Sequence, residues 1–182
     1  MKATATHLPG VYIIEPKVYE DARGYFFESF SLRDFREATG LEVEFVQENQ
    51  AKSRYGVLRG LHFQRGEHAQ AKLVRVLKGK VLDVGVDFRK DSPTFGQHLA
   101  VCLSEDNFRQ LYLPRGFAHG YVVLSQEAIF HYKTDNYYCP ESEGSVLWND
   151  PALGIDWELP PSDIILSDKD KNAPLFRDAE LP

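Results

Sequence analysis

Short apolar runs, rich in β-branched and aromatic residues, recur along the whole chain and are separated by Gly, Pro, Asn and Asp. Runs of this length and composition, bounded by turn-forming residues, are typical of β-strands. The tripeptide Lys78-Gly79-Lys80 lies between two such runs and predicts a hairpin turn. The pattern predicts strands at 11–14, 25–30, 45–50, 73–77, 81–86, 99–103, 110–113, 118–124 and 128–132.

One segment, residues 32–39, has the signals of a helix instead. Ser31 precedes it and can cap a helix N-terminus, and Gly40 follows it and can adopt the left-handed conformation that ends a helix. After Pro160 we expect only a short helix or turn. Many short strands with a few short helices predict an all-β sandwich or jelly roll. A length of 182 residues fits one domain, covering residues 1–182.

Composition and charge argue against several classes of function. Hydrophobic residues make up 43% of the chain, yet no apolar run approaches the roughly 18 residues of a membrane span. The first six residues lack the apolar stretch of a signal peptide, so we expect a cytoplasmic protein. A net charge of -6 without a basic stripe argues against nucleic-acid binding. Cys102 and Cys139 are expected to be ordinary thiols.

Two segments narrow the fold further. They are Gly60-Leu61-His62-Phe63-Gln64, with Lys72 beyond it, and Pro114-Arg115-Gly116-Phe117-Ala118-His119. Together they resemble the two cupin motifs, whose metal-binding form carries His-x-His, an acidic residue and Pro-x-Gly-x-x-His. Here Gln64 replaces the second histidine, and Lys72 stands near the acidic position. Glutamine is a poor ligand and an ammonium repels a cation, so we expect a cupin-type jelly roll without metal.

The residues around these segments suggest proton chemistry. Asp168 or Asp170 can orient the imidazole of His62, and a His–Asp pair is a standard general base. Lys72 opens an otherwise apolar strand and shares a face with Val74 and Val76, so it is expected to point into the barrel. An ammonium there can stabilise an oxyanion.

Phenols and guanidinium groups complete the candidate chemistry. Tyrosines at 132, 137 and 138 can supply a proton from the face opposite a histidine, and only one of the last two should face the site because they alternate. Arg23, Arg59 and Arg115 can together bind a diphosphate through charge-assisted hydrogen bonds. If 25–30 is a strand, Phe26 and Phe30 share one face, which predicts a partner surface on a second subunit.

Several strings occur together and in order along nearly the whole chain. They are Arg59-Gly60-Leu61-His62-Phe63-Gln64, Lys72-Leu73-Val74-Arg75-Val76, Val84-Gly85-Val86-Asp87-Phe88-Arg89, Ser92-Pro93-Thr94-Phe95-Gly96, Pro114-Arg115-Gly116-Phe117-Ala118-His119-Gly120, Tyr132-Lys133, Trp148-Asn149-Asp150-Pro151 and Ser167-Asp168-Lys169-Asp170. Each string alone is weakly specific. The combination is similar to the dTDP-4-dehydrorhamnose 3,5-epimerase family.

This resemblance implies a cofactor-free homodimer with shared active sites, acting on a dTDP-linked 4-keto-6-deoxyhexose in a pathway to a deoxysugar such as rhamnose. It implies His62 as general base with Asp170 as its partner, Tyr132 as general acid, and Lys72 near the C4 oxygen. The segment from Arg23 to Glu28 is implied to reach into the partner subunit's site. Residues implied to hold the nucleotide, diphosphate or sugar are Arg23, Phe26, Glu28, Gln47, Asn49, Arg59, His119, Tyr138 and Lys169.

Other functions stay open at this point. Members of the wider family invert only C3 or only C5, with closely similar motifs. A metal-dependent cupin oxygenase or isomerase is disfavoured by Gln64 and Lys72. A non-catalytic sugar-nucleotide binding module is disfavoured by the complete set of His62, Lys72, Tyr132 and Asp170.

Overall fold

The structure is a computed structural model that describes all 182 residues. Two α-helices are present, α1 (Leu32–Thr39) and α2 (Asp168–Lys171). The strands are β1 (Lys2–Ala5), β2 (Tyr12–Glu15), β3 (Tyr19–Asp21), β4 (Gly24–Phe26), β5 (Gln47–Arg54), β6 (Leu58–Gln64), β7 (Lys72–Lys78), β8 (Lys80–Asp87), β9 (His98–Ser104), β10 (Gln110–Leu113), β11 (Phe117–Val123), β12 (Glu127–Thr134) and β13 (Glu143–Ser145).

The strands form two antiparallel sheets and a separate hairpin. One sheet has the order β1-β2-β10-β7-β12-β5, the other has β13-β6-β11-β8-β9, and β3 pairs only with β4. Neighbours in each sheet are mostly distant in sequence, as in the jelly roll that the strand pattern predicted. The expected all-β class is therefore confirmed.

The main core lies between the two sheets. Alternate residues of facing strands meet there, including Val74 and Val76 of β7 and Val81 of β8. The intervening residues of β8 point the other way, into a second apolar cluster that includes Trp157 from the C-terminal segment. Strand β8 is buried on both faces, which explains why its sequence is an almost continuous apolar run.

Helix α1 covers the outer face of the six-stranded sheet and has the predicted bounds. The Ser31 hydroxyl accepts from the Asp34 backbone N–H at 3.3 Å, and Gly40 ends the helix with φ of 70°. The fully buried Phe35 packs on Tyr112 of β10, with ring centroids 5.4 Å apart. Phe35 is the only buried residue of this short helix.

Two expectations about the strands are wrong. Lys78-Gly79-Lys80 is not a hairpin turn, because β7 and β8 belong to different sheets and the tripeptide carries the chain between them. The strand expected at 25–30 ends at Phe26. Phe30 packs within its own chain, 5.4 Å from the Phe45 ring, so it does not share an exposed strand face with Phe26.

None of the helices is long and apolar enough to cross a membrane.

Candidate active site

A polar cavity of about 320 Å³ opens between the two sheets. Its walls come from β5, β7 and β12 of the six-stranded sheet and from β6 and β13 of the other sheet. Residues expected to be functional therefore converge from strands far apart in sequence. The lining residues are Gln47, Asn49, His62, Phe63, Gln64, Gln70, Lys72, Tyr132, Tyr138 and Glu143.

His62 faces the cavity from β6 and is held from behind by Asp170. Its Nε2 lies 2.5 Å from Asp170 Oδ1. Asp170 is 3% exposed, and its second oxygen accepts from the Ser167 hydroxyl at 2.9 Å. Ser167 also caps α2 by accepting from the Asp170 backbone N–H. Of the two aspartates left open by the sequence, Asp168 is excluded because its side chain is 95% exposed.

The His62–Asp170 pair fixes the chemistry of the imidazole. Burial raises the pKa of the Asp170 carboxyl, but the hydrogen bonds from His62 and Ser167 outweigh burial and hold that pKa below its ordinary value. An ionised carboxylate at Nε2 selects the tautomer that carries its proton there. Nδ1 of His62 is therefore left as the proton acceptor on the other side of the ring.

Lys72 points into the barrel, as strand parity predicted. Thr134 and Tyr132 of β12 pair with Lys72 and Val74 of β7, so their side chains share the inner face. Burial lowers the pKa of the Lys72 ammonium to about 8, against the opposing charges of Asp83 and Glu143. Lys72 is thus a half-buried cation in the cavity wall at neutral pH, available to a developing negative charge.

Tyr132 faces the cavity from the sheet opposite His62. It projects from β12, whereas His62 projects from β6, and both line the same space. Burial raises the pKa of the Tyr132 phenol, and the charge of Arg59 only partly opposes this. The phenol therefore keeps its proton at neutral pH and can donate it.

A polar network forms the mouth of the cavity. The Tyr138 hydroxyl donates to Glu143 at 3.1 Å, and the backbone N–H of Tyr138 donates to Gln47 at 3.2 Å. Lys169 pairs with the other oxygen of Glu143. Tyr138 lines the cavity and Tyr137 does not, as their alternation predicted.

Three amide side chains are held by hydrogen bonds in the cavity wall. Gln47 donates to the side-chain oxygen of Asn49 at 3.0 Å, which fixes both on the inner face of β5. Gln64, at the second cupin-histidine position, accepts from the backbone N–H of Cys139 at 2.8 Å and thereby anchors the chain next to Tyr138. No group of three or more His, Cys, Asp or Glu side chains is arranged to hold a metal ion.

His119 lies behind the cavity wall rather than in it. It pairs with His62 across β11 and β6, is 7% exposed, and its Nε2 lies 2.9 Å from Asp83 Oδ2. Burial lowers the pKa of His119, and Asp83 only partly opposes this effect. His119 is thus neutral at pH 7.

Besides His119 and Lys169, five residues expected to bind substrate or diphosphate do not line this cavity. Arg59 is exposed on β6 and donates to the Ser53 hydroxyl at 3.2 Å. Arg115 is paired with Asp135 at 2.8 Å. Arg23, Phe26 and Glu28 are all exposed on or beside the β3–β4 hairpin, and Arg23 pairs with Asp21.

Sequence reasoning missed three members of the site. Glu143 is one of two glutamates close together in a polar segment, and only the pairing of β13 with β6 brings it to the cavity. Gln70 is the last residue but one before β7, in a turn without a recognisable pattern. Asp83 is a charge in the middle of a largely apolar strand, and that signal could have been noticed.

The fold and the cavity together define a class, the cupin-type jelly rolls that carry proton-transfer groups in the barrel. Comparison with known proteins narrows the class to a family. The profile of dTDP-4-dehydrorhamnose 3,5-epimerase matches residues 5–178, and the chain belongs to this family. It is therefore an enzyme of the isomerase class.

Individual relatives resemble the chain over almost its full length. It is 58% identical over 179 residues to the dTDP-4-dehydrorhamnose 3,5-epimerase of Salmonella typhimurium, covering 97% of this chain and 96% of that protein. The crystal structure of the Elizabethkingia anophelis enzyme is 58% identical, with a TM-score of 0.94 and coverage of 98% and 97%. The Legionella pneumophila enzyme in complex with dTDP-4-keto-L-rhamnose is 50% identical, with a TM-score of 0.92 and coverage of 96% and 92%.

Proposed function

We propose that the protein inverts C3 and C5 of a dTDP-linked 4-keto-6-deoxyhexose, in the biosynthesis of a deoxysugar of the rhamnose type. The observation that carries this proposal is the placement of His62 and Tyr132 on opposite sheets, facing one cavity. Inversion at carbon requires a proton to leave from one face and another to arrive at the opposite face. Two opposed proton-transfer groups meet that requirement.

The substrate makes the first step accessible. Hydrogens on C3 and C5 are both α to the C4 ketone, so the negative charge left by their removal spreads onto the ketone oxygen. In a gluco-configured chair both hydrogens are axial on the same ring face. Nδ1 of His62 can therefore serve both carbons after a modest shift of the ring.

Each remaining group has one task in this mechanism. The Lys72 ammonium stabilises the enolate oxygen, a contribution of roughly 10²–10³-fold for one oxyanion donor. The Tyr132 phenol then protonates the carbon from the other face, a contribution of roughly 10²–10⁴-fold for one general acid. The carboxylate of Asp170 stabilises the imidazolium that forms on His62.

The nucleotide is proposed to bind at the mouth of the cavity and beyond it. Tyr138, Gln47 and Asn49 line the mouth, with Lys169 beside them. His119 lies behind the cavity wall, and it is proposed to belong to the residues that hold the substrate. Arg59 lies outside the cavity but near enough to Tyr132 for its charge to lower the phenol's pKa.

We also propose a homodimer in which each site is completed by the other chain. Arg23, Phe26 and Glu28 do not line the cavity of their own chain, so in this proposal each site takes them from a second copy. A cytoplasmic location is part of the proposal, and the unpaired cysteines at 102 and 139 fit a reducing compartment.

Deuterium incorporation tests the reaction directly. The protein is incubated in heavy water with dTDP-4-keto-6-deoxyglucose, and the product is analysed by NMR. We expect deuterium at C3 and C5 with both centres inverted. His62→Asn should abolish exchange at both carbons. His7 is an exposed histidine near the N-terminus, and the control variant His7→Asn should behave as wild type. Absence of exchange by the wild type would refute the proposal, and exchange at one carbon would reduce it to single epimerisation.

The proposal includes the absence of any metal requirement. Gln64 is committed to a backbone N–H, and Lys72 places a positive charge where a cupin metal would need a ligand. Dialysis against a strong chelator should leave turnover unchanged. Loss of turnover that a divalent cation restores would show that this part of the proposal is wrong.

A further inference from the structure

Asp83 is a buried carboxylate that the mechanism above does not use. It is 0% exposed, and its Oδ2 lies 2.9 Å from His119 Nε2. Its other oxygen, Oδ1, is buried without any hydrogen-bond partner. A buried carboxylate oxygen left unpaired is costly, so its charge is expected to be balanced by a cation nearby.

Strand register directs Asp83 toward the interior of the barrel. It alternates on β8 with Leu82 and Val84, which point to the outer cluster, and shares the face of Val81, which lies in the core between the sheets. Lys72 enters the same interior from the facing sheet. Both charges are therefore directed into the space between the two sheets, where Lys72 also lines the cavity.

The surroundings of Lys72 contain one unsatisfied negative charge. Its ammonium has no hydrogen-bond partner, and the carboxylates that act on it are Asp83 and Glu143. Glu143 is already paired with Lys169 and accepts from Tyr138. The groups that face Lys72 from the strands around it are Asp83 (β8), Glu143 (β13), His62 (β6), His119 (β11) and Tyr132 (β12).

His119 does not neutralise Asp83. Burial lowers the pKa of His119, and the charges of Lys72 and His62 lower it further, so the imidazole is neutral at pH 7. A neutral imidazole donates a hydrogen bond to Oδ2 and leaves the negative charge in place. That charge is available to Lys72 between the two sheets, where charges are screened less than at the surface.

We propose that Asp83 is a positioning residue that keeps Lys72 protonated for enolate stabilisation without touching the substrate itself. The proposal rests on the proposed function, since it assigns Lys72 to the enolate oxygen. Burial lowers the pKa of Lys72 to about 8, and Asp83 is the largest influence opposing that effect. Without Asp83 the ammonium would lose its proton closer to neutral pH.

The pH dependence of kcat/KM provides the test, because it reports ionisations of the free enzyme. Raising the pH deprotonates Lys72, so we expect wild-type activity to fall with an alkaline limb near pH 8. Asp83→Asn keeps the shape and removes the charge, and should move this limb to lower pH by about one unit or more. Activity at pH 6 should be affected much less than activity at pH 8.

Asp87→Asn is the matched control. Asp87 is also 0% exposed on β8, but its carboxylate is bonded to Arg89, Ser92 and Thr94 of the connection between β8 and β9. The alkaline limb of the kcat/KM profile of Asp87→Asn should stay at the wild-type pH. An equal loss at every pH in Asp83→Asn, with the limb unmoved, would mean a merely structural role. Equal movement of the limb in both variants would likewise overturn the proposal.

A stability cycle tests the same coupling without substrate. Unfolding free energies are measured for Asp83→Asn, Lys72→Met and the double variant. The double variant should lose less than the sum of the single losses, because neither buried charge is left alone. Additive losses would overturn the proposal. If Asp83→Asn alone does not fold, the double variant should fold, and its failure would count against the coupling. An inactive wild type that still shows the coupling would refute only the proposed function.

Discussion

At the scale of single residues, the environment of the cavity shifts the pKa values of three side chains in different ways. The pKa of Asp170 is held below its ordinary value, that of Lys72 falls to about 8, and that of Tyr132 is raised. At neutral pH the site therefore holds an anion behind His62, a cation in the cavity wall, and a neutral phenol on the opposite sheet. Groups whose environments push their pKa values apart can take different roles in one reaction.

Tyr132→Phe should separate proton removal from inversion. The substitution removes one hydroxyl and keeps the ring, while His62 and Lys72 remain to form the enolate. Reprotonation then has to come mainly from His62, on the original face, which restores the starting configuration. Deuterium should still enter recovered substrate, while inverted product falls by roughly 10²-fold or more, the range of one general acid.

Tyr137→Phe is the control for this experiment, since Tyr137 is 66% exposed and outside the cavity. It should leave exchange and inversion unchanged. Unchanged inversion in Tyr132→Phe would remove that residue from the mechanism. Equal loss of exchange and inversion would assign it to binding or enolate stabilisation instead.

Residue-level expectations were accurate where strand parity decides the direction of a side chain. Lys72 with Val74 and Val76 on the inner face, and Tyr138 rather than Tyr137 at the cavity, follow from a period of two. The choice between Asp168 and Asp170 depends on how a four-residue helix docks on β6. No local pattern contains that information, and the resemblance supplied it.

At the scale of elements, the connection between β8 and β9 is organised by one carboxylate. Asp87 accepts from Arg89 Nε at 2.8 Å and from the hydroxyls of Ser92 and Thr94 at 2.6 and 2.7 Å. Burial raises the pKa of Asp87, but these hydrogen bonds more than compensate and lower it to about 2. The connection is thus tied to the ionised form of a single side chain.

This arrangement predicts the acid sensitivity of the fold. In the unfolded chain an aspartate has a pKa of about 3.9, so the contribution of Asp87 is complete above that pH and disappears as the pH falls through about 2. Asp87→Asn should lower the unfolding free energy at pH 7 by about 2 kcal/mol. The difference in unfolding free energy between Asp87→Asn and wild type, measured by denaturant titration, should shrink as the pH falls from 4 to 2.

Asp91→Asn is the matched control, since Asp91 is an exposed aspartate in the same connection. It should change the unfolding free energy little at any pH. A difference between Asp87→Asn and wild type that persists at pH 2 would show that the loss comes from packing rather than from the charge.

Element boundaries were predictable where caps or apolar runs mark them, and connectivity was not. Ser31 and Gly40 bracket α1 as expected. Gly79 has φ of 79°, which a tight hairpin and a passage between sheets demand equally. An added Cβ at Gly79 would lie 2.1 Å from the Glu127 carbonyl oxygen, so the glycine is required by β12, which is distant in sequence. Tertiary contact of that kind cannot be inferred from a tripeptide.

At the scale of the whole molecule, the β3–β4 hairpin pairs with neither sheet, although Tyr25 packs on Phe108 with ring centroids 4.9 Å apart. Phe26 is 70% exposed and Tyr25 is 60% exposed, and the Arg23 side chain is 90% exposed. Solvent-exposed aromatic rings next to a guanidinium are typical of a surface that contacts a partner or a ligand. The same three features fit a hairpin that covers the cavity of a second copy.

Subunit complementation tests this arrangement. Arg23→Ala and His62→Ala proteins are each expected to be nearly inactive, and are mixed under conditions that exchange subunits. Random exchange in a two-fold dimer gives half mixed dimers, each with one site free of both substitutions, so about one quarter of wild-type activity should return. Mixing His62→Ala with Tyr132→Phe is the control: both residues belong to the same chain's cavity, no intact site can form, and no activity should return. If the first mixture stays inactive although exchange is demonstrated by mass spectrometry, each site is built from one chain, and Arg23 acts there or not at all.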